Sequence, residues 1–156
     1  MTREIRVGLI SDTHGLLRPQ ALDAMRGSDR IVHAGDIGDA AIIDALERIA
    51  PVTAVRGNND VAPWAASLRD DEVVTIGDTR IYVVHDVNTI AIDLRAKRID
   101  VVVSGHSHRP LVRERDGIVF VNPGSAGPRR FSLPISVGEL VLSATGVRAR
   151  LLTLDP

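Results

Sequence analysis

The sequence predicts an α/β protein built from two mixed β-sheets with helices on the outside. Near the start, short apolar β-branched runs alternate with helical patterns, the βαβ signature of a parallel sheet flanked by helices. From residue 72 onward, runs separated by Gly-Asp or Asp-Gly read instead as antiparallel hairpins. No repeat, linker or low-complexity stretch interrupts the 156 residues, so one domain over 1–156 with a sizeable core is expected.

Ile5–Ile10 (IRVGLI) is short, apolar and followed by turn residues, which marks a buried strand. PQALDAM, residues 19–25, suits a helix because proline is accommodated in a first turn. Residues 31–34 form the second strand. AAIIDALERI, residues 40–49, has the amphipathic spacing of a helix, with Asp39 as N-cap and Pro51 beyond its end. Residues 52–55 complete a βαβαβ unit. Residues 72–76 and 79–84 flank Gly77-Asp78 as a hairpin. TIAIDLRAKR, residues 89–98, is expected to be helical, and residues 101–103 add a strand. A second hairpin pairs 111–115 with 118–121 across Asp116-Gly117, and a third pairs 136–143 with 147–154.

Composition narrows the function. Hydrophobic residues make up 44% and charged residues 25%, ordinary for a soluble globular protein. A formal net charge of −1 gives no general attraction to nucleic acid or an anionic membrane. Aromatic residues are 3%, too few for stacking platforms along a single strand. No stable nucleic-acid binding and no membrane partner are therefore expected. The chain has no cysteine, which excludes disulfides, thiolate metal sites and a cysteine nucleophile. With no signal-peptide pattern and no apolar run of ~18 residues, a cytoplasmic protein is expected.

Polar residues break the apolar pattern at the carboxyl ends of predicted strands, the edge where open α/β sheets bind ligands. Ile10 is followed by Ser11-Asp12-Thr13-His14, Ala34 by Gly35-Asp36, and Val55 by Arg56-Gly57-Asn58-Asn59-Asp60. Val84 is followed by His85-Asp86, and Val103 by Ser104-Gly105-His106-Ser107-His108. Asp12 and His14, like His106 and His108, are spaced i, i+2, which in extended backbone directs both side chains to one side. Alone, each segment also reads as an ordinary turn or a satisfied core histidine. Together they do not, because independent accidents would scatter along the chain. Imidazole, carboxylate and amide oxygen suit divalent ions such as manganese, iron, zinc or nickel. Seven candidate ligands exceed one tetrahedral ion and suit two ions ~3.5–4 Å apart sharing a carboxylate.

The ordered set Asp12-x-His14, Gly35-Asp36, Gly57-Asn58-x-Asp60, His85 and Gly105-His106-x-His108 resembles the calcineurin-like metallophosphoesterase superfamily. The short chain and FVNPGSAGPRR, residues 120–130, resemble its small single-domain phosphodiesterase branch, to which a retromer subunit is related. The resemblance runs from Asp12 to Arg129. It implies a four-layer α/β/β/α sandwich of two mixed sheets flanked by helices. It also implies two divalent metal ions per chain, manganese first among them, with iron, nickel or zinc as alternatives. Asp12, His14 and His108 are then expected at one ion, Asn58, His85 and His106 at the other, and Asp36 as the bridge.

The implied activity is a metal-dependent phosphodiesterase acting on small phosphodiesters through a hydroxide bridging the two metals. Two aspartates bring about −2 against +4 from the ions, and the remaining charge of about +2 suits hydroxide and an anionic phosphate. Asp36 and Asn58 are the residues put forward for catalysis, Asn58 being a neutral ligand that cancels none of this charge. Many relatives carry histidine after the ligand asparagine, as an acid for the leaving oxygen. This chain has Asn59 there, and general acid catalysis is typically worth ~10²–10⁴-fold. Diesters with good leaving groups are therefore expected over alkyl monoesters. Asn59, Asp60, Asp86 and Arg129 are candidate substrate or supporting residues, Asp86 either orienting a ligand histidine or capping the helix over 89–98. Residues 122–125 are expected to close a loop near the site. His33 is read as buried structure. A scaffold of the retromer-subunit type and a nuclease are the competing readings, and the resemblance leaves a homo-oligomer open.

Overall fold

In the computed structural model, which describes residues 3–154, alternation along Ile5–Ile10 (β1) sets the layering. Val7 and Leu9 enter the apolar core between two sheets, while Ile10 belongs to the cluster under the helices. Those helices are Pro19–Met25 (α1) and Ala40–Glu47 (α2), whose Ala21, Met25, Ile42 and Leu46 are buried in the same cluster. Asp39 caps α2 by accepting from Ala41 N at 2.9 Å. The helix stops two residues before the expected end, because Ile49 N turns to Leu46 O at 2.9 Å ahead of Pro51.

The remaining strands are Arg30–His33 (β2), Val52–Ala54 (β3), Asp71–Ile76 (β4), Thr79–Val84 (β5), Val101–Val103 (β6), Leu111–Arg115 (β7), Ile118–Asn122 (β8), Ser136–Ser143 (β9) and Gly146–Thr153 (β10). One five-stranded sheet has the order β10-β9-β1-β2-β3 and the other β4-β5-β6-β8-β7. The pairs β1/β2, β2/β3, β5/β6 and β6/β8 are parallel. The three hairpins and β1/β9 are antiparallel, so both sheets are mixed. Val32, Ile81, Val83, Val101, Val103, Val121 and Leu140 fill the space between them. Each such side chain, fully buried, contributes about 1.5–3 kcal/mol by leaving water.

The helix expected over 89–98 does not form. A 3₁₀ turn at Val87–Thr89 is followed by irregular turns. Asp93 Oδ1 accepts from Arg95 N and Ala96 N, both at 3.1 Å, and Lys97 N donates to Asp93 O at 3.0 Å, so Asp93 caps a single short turn and leaves residues 90–92 outside it. Arg98 then adopts φ 55, which ends any right-handed path. Ile90, Ile92 and Leu94 still cover Tyr82, Val84 and Val102 on the outer face of the second sheet. The fold is the predicted α/β pair of mixed sheets, with this outer layer built from turns.

A buried imidazole at the end of β2 ties two loops together. His33 Nδ1 accepts from Gly35 N at 3.1 Å, so its proton sits on Nε2, which donates to Thr13 Oγ1 at 3.0 Å. Thr13 Oγ1 in turn donates to Ile37 O at 2.8 Å. Burial disfavours the imidazolium more than nearby Asp12 and Asp60 favour it, pushing His33 down from 6.5 to about 4. Because the unfolded chain takes up this proton first, the stability His33 contributes is complete above about pH 6.5 and lost as pH falls toward about 4. Between pH 7 and 5, metal-free protein should lose on the order of 1–2 kcal/mol more unfolding free energy than His33→Gln, by urea titration. Parallel losses in the two proteins would contradict the assignment.

Candidate metal centre

Five of the candidate ligands sit in left-handed backbone. Asp12 (φ 55), His14 (φ 46), Asp36 (φ 55), His106 (φ 70) and His108 (φ 62) are five of the eight non-glycine positive-φ residues described. The extended i, i+2 geometry expected from sequence is therefore replaced by tight turns. Each turn carries strain of order 1–3 kcal/mol, of the kind held at functional sites. The loops after β1 and β2 hold one another in this state: Asp12 N donates to Gly35 O at 3.0 Å and His14 N to Asp36 O at 2.9 Å. The loop after β6 joins the β1 loop through His106 N to Asp12 Oδ2 at 3.1 Å and the end of β5 through Gly105 N to His85 O at 2.9 Å.

The turns gather the side chains into two adjacent groups. Asp12, His14 and His108 form one, and Asp36, His85 and His106 the other, with ligand atoms in each lying within 4.8 Å of one another. His14 Nε2 and His108 Nε2 face each other at 3.3 Å, their rings stacked with centroids 5.3 Å apart. His106 Nδ1 lies 3.3 Å from His85 Nε2 and 3.1 Å from Asn58 Oδ1, which brings Asn58 to the second group. Asp36 Oδ2 stands between the groups, 3.2 Å from His85 Nε2 and 3.6 Å from His14 Nε2.

These donor atoms fit cations better than they fit each other. Asp12 is fully buried, and its Oδ2 accepts from Ser11 Oγ at 2.7 Å and His106 N at 3.1 Å. Its Oδ1 has no hydrogen-bond partner and points at His108 Nε2 (3.4 Å), His14 Nε2 (3.7 Å) and His85 Nε2 (3.9 Å). A buried carboxylate oxygen left unpartnered among imidazole nitrogens is costly unless a metal accepts all their lone pairs. His85 is already oriented for this, since Nδ1 donates to Ala34 O at 2.8 Å and leaves Nε2 facing the site.

Electrostatics agree. Burial alone would raise the Asp36 carboxyl, but hydrogen bonds from His85 and Asn59 N outweigh it and hold Asp36 well below the usual carboxylate range. His85 is disfavoured as a cation by burial, yet the Asp36 hydrogen bond and the Asp12 charge raise it overall. Burial lowers His108, with Arg130 and His14 acting against the pull of Asp12. The shifts of Asp36 and His85 both arise largely from the same His85–Asp36 contact, an attraction that a bound cation would replace.

Supporting residues explain the precision of the arrangement. Asn59 donates to both Asp36 oxygens, from N at 2.9 Å and from Nδ2 at 3.1 Å. Asp60 is buried and accepts from Gly57 N (2.9 Å), Gly38 N (3.0 Å) and Ile37 N (3.1 Å), locking the β2 and β3 loops. Asp86 both caps the 3₁₀ turn, accepting from Asn88 N at 3.0 Å, and lies 3.7 Å from His106 Nε2. Arg129 turns within its own loop toward Leu133 O, whereas Arg130 is the arginine whose charge reaches His108. A Cβ on Gly57 would fall on Asp36 N and Oδ1, and one on Gly105 on Ser11 Oγ and Asp12 Oδ2, so neither loop tolerates a side chain there. Residues 122–125 do lie beside the site and brace its loops: Ser125 Oγ donates to Asp12 O at 3.2 Å, and Asn122 Nδ2 to Gly105 O at 2.9 Å. Ser11 and Thr13 also serve the site, although in sequence a hydroxyl beside a strand end looks like any turn residue.

Asp60→Ala would leave three buried amide donors unpaired. It is expected to cost about 3 kcal/mol or more in urea unfolding and ~10–100-fold in manganese affinity by calorimetry. Asp86→Ala, at the open edge of the site, should cost less in both.

Comparison with known proteins places the chain. The family model described as the calcineurin-like phosphoesterase superfamily domain matches residues 5–144. A probable metallophosphoesterase of Methanocaldococcus jannaschii is 37% identical over 132 residues, covering 76% of this chain and 67% of the relative. A phosphodiesterase of the same archaeon is 26% identical over 139 residues, covering 77% of this chain and 83% of the relative. Among solved structures, vacuolar protein sorting 29 from Cryptosporidium parvum superposes with a TM-score of 0.78 at 20% identity, covering 99% of this chain and 100% of that one. By the extent of the family match, and with both His/Asp groups assembled at the strand ends, this chain belongs to the calcineurin-like phosphoesterase superfamily.

Proposed function

We propose that the chain is a binuclear metal-dependent phosphodiesterase, a hydrolase of small phosphodiesters built as one metallophosphoesterase domain. The observation that carries this is the position of Asp36 Oδ2 between two His/Asp groups, with the unpartnered Asp12 Oδ1 beside it. Asp12, His14 and His108 would hold one ion, Asn58, His85 and His106 the second, and Asp36 both. Two such ions, once bound, supply hydroxide near neutral pH and neutralise the oxygens of the phosphorus centre under attack. The name of the archaeal relative, a phosphodiesterase, supports the same reading.

The residues of the chain divide the remaining work. Asn58 offers a neutral amide oxygen, so the site keeps a net positive charge for an anionic ester. Asn59 directs its backbone N–H and its side-chain amide to Asp36 and fixes the carboxylate that the two groups share. An amide donates no proton to a leaving oxygen, so the chemistry favours esters whose leaving group departs as an anion. Arg130, close enough to influence His108, is the better phosphate contact than Arg129. A protein-scaffold role draws on likeness to vacuolar protein sorting 29, but at 20% identity that likeness concerns the fold. All seven ligand-type side chains are present here, which favours an enzyme.

In protein reconstituted with manganese, Asp36→Ala should lower hydrolysis of bis(p-nitrophenyl) phosphate by more than about a hundredfold. Activity retained in that variant would overturn the two-ion reading. Asn59→His should raise the ratio of monoester to diester turnover, and an unmoved ratio would contradict the role given to position 59.

A further inference from the structure

Next to His106, the second sheet carries a groove that the chemistry at phosphorus does not use. It has a volume of about 490 Å³, within the ~300–1,000 Å³ of small-molecule sites, and runs from Asp86 and His106 outward along β7 and β8. Its walls are apolar where Ile90 and Leu94 of the irregular segment face Leu111 and Phe120. Residues 90–98, which form turns rather than a helix, supply one wall of the groove, and the edge strand β7 is exposed along its whole length.

One side is basic. Arg113 and Arg115 follow Leu111 at two-residue steps, about 7 Å apart, so all three project from the same face of β7. Arg113 is directly opposite Phe120 in the β7/β8 register, and Arg115 opposite Ile118. Arg109 lines the end near His106. Against these three arginines the lining holds a single acid, Asp86, which is turned to His106 at 3.7 Å. Arg115 has only its neighbour Asp116, at 3.9 Å, and among the described residues Arg109 and Arg113 form no ion pair. Guanidinium groups aligned beside an apolar floor bind a planar or apolar body that ends in an oxyanion.

We infer that this groove is the specificity site for one ester arm of the substrate, an arm with an apolar or planar body carrying a second anionic group. The inference rests on the phosphodiesterase reading, since the groove is continuous with the group containing His106. Binding energy gathered by Arg113 along the arm holds the scissile phosphate at the ions and appears in kcat/KM.

The test uses two p-nitrophenyl diesters that share a thymidine arm and differ by a 3′-phosphate on it. Wild type should prefer the phosphorylated arm by about tenfold or more in kcat/KM, as expected for charge-assisted hydrogen bonds. Arg113→Glu should abolish that preference, whereas Arg26→Glu, just past the end of α1, should retain it. A third diester, with a carboxymethyl group replacing the 3′-phosphate, tells a phosphate-reading groove from a general anion groove, and preference for either anion upholds the site. Equal kcat/KM for the anionic and neutral arms in wild type, or an unchanged preference in Arg113→Glu, overturns it. Calorimetry with thymidine 3′,5′-bisphosphate reads the groove even where no diester is cleaved. Affinity weakened about tenfold in Arg113→Glu would uphold the groove while the hydrolase reading falls, and equal affinity would overturn the groove. A dimer that forms with rising concentration and is lost in Arg113→Glu, without binding of either probe, would overturn it as well.

Discussion

At the junction of the two sheets, two carboxylates and four imidazoles converge on a space with few protons to share. Asp12 Oδ1 is the sharpest expression of this, buried, unpartnered and surrounded by three Nε2 atoms. Such a cluster is stable only with a cation or with protons between its members, and the low dielectric of the interior enlarges the difference. Much of the surrounding structure is arranged to maintain that convergence. Ser11 and the amide of His106 occupy the other Asp12 oxygen, Asn59 occupies Asp36, and Ala34 O fixes the His85 ring.

Convergence has a conformational cost, visible as five left-handed residues among the candidate ligands. Isolated loops would relax out of those turns. Here they cannot, because the amides of Asp12 and His14 are bonded into the β2 loop, and the Asp60 carboxylate closes the β3 loop onto the same segment. The apolar layers on both faces of the first sheet hold β1, β2 and β3 in register, so the loops at their carboxyl ends start from fixed points. His33 adds a neutral strut behind them. Its proton placement is dictated by Gly35 N on one side and Thr13 Oγ1 on the other.

The second sheet is covered differently on its outer face. Turns at residues 90–98 keep Ile90, Ile92 and Leu94 packed but cover only part of the sheet. The uncovered part is where β7 presents arginines beside Phe120, next to the second metal group. Local chemistry at Asp93 thus shapes the surface that adjoins the site.

The strands, the two helices that form, the hairpins and the set of polar residues at strand ends are all legible in the residues alone. Those features are local: periodicity, turn residues and capping are written in neighbouring positions. Spacing alone misread residues 89–98, where the apolar pattern resembles a helix but an aspartate side chain captures the backbone amides. It also assigned an extended backbone to Asp12-x-His14 and His106-x-His108, since a left-handed turn leaves no mark in residue spacing. The three amides bonded to Asp60 and the hold of Asn59 on Asp36 came instead from the packing. Each of these depends on contacts between segments far apart in the chain, and so on how the two sheets pack rather than on any one stretch of residues.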